Sequence, residues 1–411
     1  MQEFYKATSL TPLGVAKNTG FLDYDSQPSL KKNYPSFLFR YKYEDLEVLA
    51  PLMWSRFVRF ETQIQGKPYK RLNTPSAGNL HPLDLYVQIR GLKGVLSGIY
   101  YIDPWEKEFV LIEEISHEGL ESFVNLEYKF VGFLFFISLV PFRSVWKYRQ
   151  RALRYCYLDA GHQIAAIKES AKLLSKENVH HFQLQEQDNL HKILGFRDEE
   201  FVCASLGIGD IDKTKTVKEK KEPLIYVAPT DYSSGISEGL SRLFSTQSIE
   251  PFVYKCSATK TDTLFHRASA RVFLPQSLAK ADLLELMQRF CISPLEIQCY
   301  TFVLAEEKIK AGLYKDGKLI KEGDFSKQLV SLLVDQRFIQ RSALITFLCA
   351  KEFSATLLAQ AGAYMHHISL FTEEKGLGLS PLGAFYDAKV QEFIGTDSFI
   401  LYAAALGKRG E

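Results

Sequence analysis

The stretch NTPSAGNLHPLDLYV, Asn73 to Val87, packs Pro75, Ser76, Gly78, Asn79 and His81 into a turn directly ahead of an alternating apolar run. Alternation of period two marks a half-buried strand. The turn therefore either caps that strand or offers a polar cradle to a ligand, with Ser76 and Asn79 as hydrogen-bonding groups and Gly78 admitting close backbone approach. His81 reads as a turn or strand-edge residue. A second candidate is Trp146-Lys147-Tyr148, flanked by Arg143 and Arg149. It is either the basic edge of an amphipathic element or a pair able to take up a proton. His162 reads as a residue that caps or lines a helix start. The six cysteines (Cys156, Cys203, Cys256, Cys291, Cys299, Cys349) are scattered without a CxxC pair or a histidine at ligand spacing. No metal site or disulfide framework is indicated, and reduced structural thiols in a cytoplasm are expected. No GxGxxG or Walker motif follows a strand, so no separate NAD(P)H domain is expected.

Around these residues stands a chain of 411 residues, long enough for two or three folding units. Hydrophobic residues at 46% and charged residues at 24% are globular proportions. A net charge of +2 supplies no electrostatic reason to bind nucleic acid or an anionic membrane. The N-terminal MQEFYKATSLTPLG has no basic segment followed by an apolar one and does not read as a signal peptide. FVGFLFFISLVPF, Phe130 to Phe142, falls short of the about 20 residues of a bilayer span and reads as a strand buried on both faces, ending at Pro141.

Self-similarity organises the rest. Gly195 and Gly207 recur as Gly395 and Gly407, an offset of 200, and Ala160-Gly161 recurs as Ala361-Gly362, an offset of 201, each pair read as opening an amphipathic helix. SGIYYID matches AGLYKDG, HPLDLYV matches SPLEIQCYTFV at Pro294, and YEDLEVLAPL matches KADLLELMQRF, all in the same order. The charged segment DKTKTVKEKKE divides the two copies. The expected domains are 1–211 with an N-terminal extension, a linker at 212–223, and 224–411. Each copy reads as α+β with a mainly antiparallel or mixed sheet. Two copies in one chain most simply pack as a pseudo-symmetric dimer.

These motifs resemble the flavin-dependent nitroreductase superfamily, in particular its SagB/thiazole-oxazole oxidase-type dehydrogenases. The family's Arg-x-Ser-x-Arg helix start is matched by Arg267, Ser269 and Arg271 in HRASARVF. Its C-terminal features are matched by Gly376, Leu377 and Gly378 and by Lys408-Arg409, and its flavin-facing turn by Pro75, Ser76, Asn79 and Pro82. RSVWKYRQRALRYCYLDAGH resembles the branch's Lys-Tyr segment, which places Lys147 and Tyr148 at its catalytic positions.

The resemblance implies an FMN-dependent oxidoreductase with hydride transfer at flavin N5, acting on a small-molecule or peptide substrate, with NAD(P)H as a possible reductant and no metal. Aligned on the second copy, the first carries Leu30, Lys32 and Tyr34 where Arg267, Ser269 and Arg271 stand, and the second lacks the Ser and Asn of the turn. One composite flavin site between the repeats is implied, with its mirror-related site lost. For RASAR the alternative is an ordinary solvated helix start with Ser as N-cap, and for the whole chain a non-catalytic flavin-binding or scaffold protein.

Overall fold

The computed structural model describes residues 2–17, 22–64, 66–173, 178–196, 200–224, 248–253, 260–275, 277–291, 296–304 and 309–410. They fall into two compact units, residues 23–253 and residues 1–22 with 254–411. Two short helices, α1 (Gln2–Thr8) and α2 (Pro12–Lys17), open the chain. They group with the second unit, not with the half they precede. Tyr5 packs edge-on against Phe353 and Phe399, its hydroxyl accepts the Ile400 N–H at 3.2 Å, and Leu10 N–H donates to Asp387 Oδ2 at 3.0 Å. A buried aromatic anchor decides where this extension belongs.

In the unit of residues 23–253, β1 (Arg40–Lys42), α3 (Ala50–Ser55) and the hairpin β2 (Val58–Ile64) with β3 (Lys67–Leu72) precede β4 (Leu83–Arg90), β5 (Gly98–Asp103), β6 (Glu108–Glu114) and β7 (Glu118–Gly119). Then come β8 (Tyr128–Leu139), α4 (Phe142–Tyr148), α5 (Ala152–Leu173), β9 (Val179–Phe182), α6 (Gln187–Ile193), β10 (Phe201–Thr216) and β11 (Lys218–Glu219). The main sheet is antiparallel, in the order β1-β6-β5-β4-β8-β10-β9. The Phe-rich run forms β8 at its centre. Phe133 to Leu139 are buried on both faces because α5 packs on β4, β8 and β10, while Leu134 and Phe136 join a cluster with Leu190 and Ile193 of α6.

The second unit holds α7 (Thr261–His266), β12 (Phe273–Leu274), α8 (Lys280–Cys291), β13 (Ile297–Val303), β14 (Gly312–Lys315), β15 (Lys318–Glu322), α9 (Ser326–Leu332) and β16 (Leu344–Ala350). It ends with α10 (Ala355–Glu374), β17 (Leu377–Leu382), α11 (Asp387–Ile394) and β18 (Phe399–Arg409). The path β15-β14-β13-β16-β18-β17 repeats β6-β5-β4-β8-β10-β9 strand for strand. The register repeats too: Gly207 faces His180 on β9, and Gly407 faces Gly378 on β17. Gly195 and Gly395 both end a helix in the left-handed region, where glycine avoids the Cβ penalty.

Four expectations change. Asp212 to Thr216 of the predicted linker continue β10, because the ladder to β8 runs on through Lys129 and Tyr128. Ala160-Gly161 and Ala361-Gly362 lie inside α5 and α10, not at their starts, and both helices are buried nearly all round. His162 is accordingly interior and fully buried. The alignment of Lys32 with Ser269 is not mirrored in space: Lys32 pairs with Glu200 immediately before β10, whereas Ser269 bridges Leu379 on β17, the counterpart of β9. Pro294, one of the repeat matches, lies outside the described residues. Among those described, no helix is long and apolar enough to cross a membrane, and no group of His, Cys, Asp or Glu is placed to hold a metal ion.

Where β8 and β10 cross, Gly132 (φ 124°) faces Gly209 (φ 142°), and a Cβ on either would drive into the partner strand's backbone oxygen. Gly132→Ala or Gly209→Ala is expected to lower the free energy of unfolding by at least about 3 kcal/mol in urea titrations, beyond the about 1 kcal/mol of an ordinary substitution. Gly94→Ala, at φ 80° with open space around it, should cost only the left-handed penalty of about 1–2 kcal/mol.

Candidate functional site

Two clusters of the motif residues form, one in each unit. In the first unit, Ser76 enters a single 3-10 turn, Ala77–Asn79, in which Gly78 (φ 64°), Asn79 (φ 61°) and then His81 (φ 42°) adopt positive φ. Positive φ at two non-glycine residues so close together, Asn79 and His81 with only Leu80 between them, is uncommon and must be held by neighbours. Asn79 holds it from one side: its Nδ2 donates to Lys70 O (2.8 Å) and its Oδ1 accepts from His81 Nε2 (2.9 Å). Ser76 holds it from the other, its Oγ accepting the His81 N–H at 2.9 Å. Burial, with Arg56 and Arg143 nearby, pushes the His81 pKa well below the ordinary range, so the ring is neutral and Nε2 carries its proton.

The turn rests on α4 and α5. Arg143, fully buried, donates to both oxygens of Asp84 (3.1 and 2.9 Å) and to the carbonyls of His81, Leu83 and Ser29. Burial alone would raise the Asp84 pKa, but the paired guanidinium holds it below the usual carboxylate value. Five residues after Arg143, Tyr148 presents its hydroxyl to Gly78; a Cβ added there would lie 2.5 Å from it. Lys147 Nζ lies 5.5 Å from the centre of the Tyr148 ring, and Tyr155 meets that ring edge-on at 5.0 Å. Arg149, the next residue, sits at φ 50° and ψ −137°, a region otherwise left to glycine. The structure thus brings Lys147 and Tyr148 to the turn of Pro75, Ser76 and Asn79.

Three residues not singled out in the sequence build the platform. Tyr155, Asp159 and Gln163 recur every four residues along one face of α5. Tyr155 packs on Tyr148, Asp159 lies beside the Ser76 hydroxyl and the Ala77 N–H, and Gln163 accepts from Arg56 Nη1 (2.9 Å) while donating to Ser55 O (2.7 Å). Burial pushes the Asp159 pKa up to about 8, against the Ser76 and Ala77 hydrogen bonds and Arg56, which lower it. An i, i+4, i+8 polar stripe in an otherwise apolar helix was the available signal.

The second cluster lies on the second unit's sheet edge. The Arg-x-Ser-x-Arg motif does not start a helix: α7 ends at His266 with Arg267 as its C-cap, and Ser269 bridges Leu379 in parallel while Ala270 N–H donates to Leu379 O at 2.8 Å. A backbone paired with β17 cannot enter a helix, so no helix N-terminus adds to this site. Leu377 pairs with Lys408, and Leu274 pairs with Lys408 from the other side. Gly378 permits the approach, since a Cβ there would lie 2.8 Å from Ala270 Cβ and 3.2 Å from Arg409 Cβ. Arg267 is buried, Ser269 and Arg409 are half-buried, and Arg271 and Lys408 are exposed. Glu373 orients the end of β18 by accepting from Arg409 Nη1 (3.1 and 3.2 Å) and from Ala268 N–H (3.4 Å). The segment of Arg267, Ser269 and Arg271 thereby runs beside β17, which Gly376 precedes and Leu377 and Gly378 open, and β17 in turn pairs with the Lys408-Arg409 end of β18.

These features define a chain of two α+β sheet units with one topology, one bearing a basic cradle and the other a strained polar turn. Residues 264–408, the part carrying the cradle, match the model of the nitroreductase family. A Methanocaldococcus jannaschii protein provisionally named nitroreductase MJ1384 is 32% identical over 91 residues, 21% of this chain and 46% of that protein, so the match spans about half of that relative's length. The crystal structure of a provisionally named nitroreductase from Anabaena variabilis shares the fold, with a TM-score of 0.78 over 100% of this chain and 99% of that one at 19% identity.

Gly78→Ala is expected to destabilise the protein by about 2–4 kcal/mol, from the φ penalty plus the Tyr148 clash. Tyr148→Phe in the same chain should recover the clash part, so that urea titrations of the four proteins give a non-additive cycle. Asp159, protonated in the folded protein up to about pH 8 but ionised above about 3.8 once unfolded, binds a proton only in the folded state between those values. Stability should therefore fall as pH rises through that window, by up to about 1.4 kcal/mol per pH unit. Asp159→Asn should flatten the profile.

Proposed function

We propose that this protein is an FMN-dependent oxidoreductase with one composite flavin site, its phosphate side supplied by the cradle of the second repeat and its ring side by the turn of the first. The observation that carries this reading is that the arginine motif runs beside β17, Ser269 bridging Leu379 and Ala270 meeting Gly378, next to the Lys408-Arg409 end of β18, where the segment 264–408 that matches the nitroreductase family closes. The donor set suits a dianionic phosphate: guanidinium forks bind oxyanions bidentately, and the exposed Arg271 and Lys408 add charge. Glu373 keeps Arg409 oriented and lowers the net charge of the cradle. When bound, FMN accepts or donates a hydride at N5.

On the ring side, the exposed Gly78 leaves the turn backbone approachable. Tyr148, held against Gly78, and Lys147 beside it are the groups placed to take a proton from a substrate above the turn, as azoline or peptide dehydrogenation requires. The rival chemistry is NAD(P)H-driven reduction of a small electron-poor substrate. The pairing of the two repeats about a pseudo-two-fold axis, as in a tandem SagB-type arrangement, belongs to the same proposal and is supported by their shared strand order. One observation favours a second reading, a non-catalytic flavin-binding or scaffold protein: the side chains of Ser76 and Asn79 are already engaged in closing their own turn.

Purified protein is expected to be yellow and to bind one FMN per chain. Arg267→Ala and, in the other repeat, Asn79→Ala should both weaken that single site, the arginine change by about tenfold to a hundredfold for one lost charge-assisted hydrogen bond. Fluorescence titration with FMN measures both. A colourless protein that takes up no added FMN would sink the cofactor reading; an effect of Arg267→Ala without any of Asn79→Ala would sink the composite site.

A further inference from the structure

Helix α10 ends in Glu373-Glu374, with no basic residue in its last turn. A carboxylate there opposes the negative end of the helix dipole, so other contacts must hold the pair in place. Both are engaged by the segment that carries the arginine motif. Glu374 Oε1 accepts the N–H of Lys260, just before α7, at 3.0 Å. Glu373 Oε2 accepts the N–H of Ala268, which stands between Arg267 and Ser269 just after α7, at 3.4 Å. The two carboxylates thus bracket α7 and set where the motif leaves it. Glu373 also takes Arg409: both of its oxygens accept from Nη1, at 3.1 and 3.2 Å. Among the described residues, Nε and Nη2 of that guanidinium meet no acceptor, on a side chain 38% exposed against 16% for Glu373. One end of the fork is fixed and its other edge is left open.

We infer that Glu373 is a positioning residue for the ligand's phosphate: it holds Arg409 by one nitrogen so that the Nε–Nη2 edge is offered to an oxyanion, and it fixes the motif backbone at Ala268 in the same step. Two parallel N–H groups on one guanidinium edge are the unit that binds an oxyanion bidentately. Fixing that edge beforehand removes the cost of ordering a long side chain when the ligand arrives. This gain outweighs the repulsion between a carboxylate and a dianion, because the Glu373 charge is already matched by Arg409. The repeat marks the role as belonging to the cradle and not to the fold. At the offset of 201 that relates α5 to α10, Glu373 corresponds to Lys172. Lys172 closes α5 with the sign that the helix dipole favours and pairs with Glu169 at 3.5 Å. The copy without the arginine motif carries a cation at this position.

This inference rests on the FMN reading for the identity of the ligand, and its test separates the two. Glu373→Ala removes a negative charge beside the phosphate, yet FMN affinity, measured by flavin fluorescence, should weaken by about threefold to tenfold, the range of one hydrogen bond. Riboflavin, with the same ring and no phosphate, should bind both proteins alike. Glu373→Gln, which keeps one acceptor, should lose less than Glu373→Ala. In an Arg409→Ala background the Glu373→Ala change should cost less than it does alone. Unchanged or tighter FMN binding, an equal loss for riboflavin, or equal costs in the two backgrounds overturns the inference while the FMN reading stands. Should the wild type bind no FMN, thermal unfolding in inorganic phosphate against chloride of equal ionic strength decides. A rise in Tm that is smaller in Glu373→Ala supports the inference; no rise in the wild type, or the same rise in both proteins, overturns it.

Discussion

A guanidinium removed from water must find an acceptor for its N–H groups, and a lone buried charge costs several kcal/mol. Arg143 meets that constraint through Asp84 and three backbone carbonyls, of Ser29, His81 and Leu83. Those partners are the start of β4, the exit of the polar turn and the segment leading into the sheet. Satisfying one side chain therefore fixes where α4 begins relative to the turn, and with it the reach of Tyr148 to Gly78. The strained backbone at Gly78, Asn79, His81 and Arg149 persists because this pair, the α5 stripe and the turn's own hydrogen bonds over-determine it.

The two repeats show how one strand order supports different sites. Both sheets are threaded alike, so the apolar positions had to stay interchangeable, while polar positions at the sheet ends were not so bound. Near the end of β18 the second copy keeps cations and the glycine that lets strands close in. The first copy keeps the turn and the acid beneath it. At Lys32 it places an ion pair with Glu200, with Tyr86 close by. That pair serves the interior of its own unit.

Much of the fold was legible because it rests on periodicity and spacing. Phe130 to Leu139 had to be a doubly buried strand, since no other element accommodates such a run at that length. The common strand order of the two units showed in glycines at matched offsets, of which Gly195 and Gly395 end helices in left-handed backbone. The candidate residues were legible by type, and the structure brings Tyr148 to Gly78 of the polar turn, and Ala270 of the arginine motif and Arg409 to Gly378. Hidden from the sequence were Asp159, Gln163 and Arg143, polar residues in apolar surroundings whose meaning depends on what lies across from them. RASAR was misplaced for a related reason. Arg and Ala favour helix and Ser a helix N-cap, and only pairing with Leu379 makes the segment extended.

By itself, then, the sequence determined which residue types recur at which intervals, and so the two-copy α+β architecture and the chemical inventory of each copy. Local preference and hydrophobic period suffice for that. Tertiary structure decided which of those residues meet. It sent the N-terminal helices to the second unit through Tyr5 and laid the arginine motif along β17 instead of at a helix start. It also enclosed a carboxyl group so that its pKa climbs to about 8. Such outcomes depend on burial and on partners far away in the chain, and those exist only once the fold has formed.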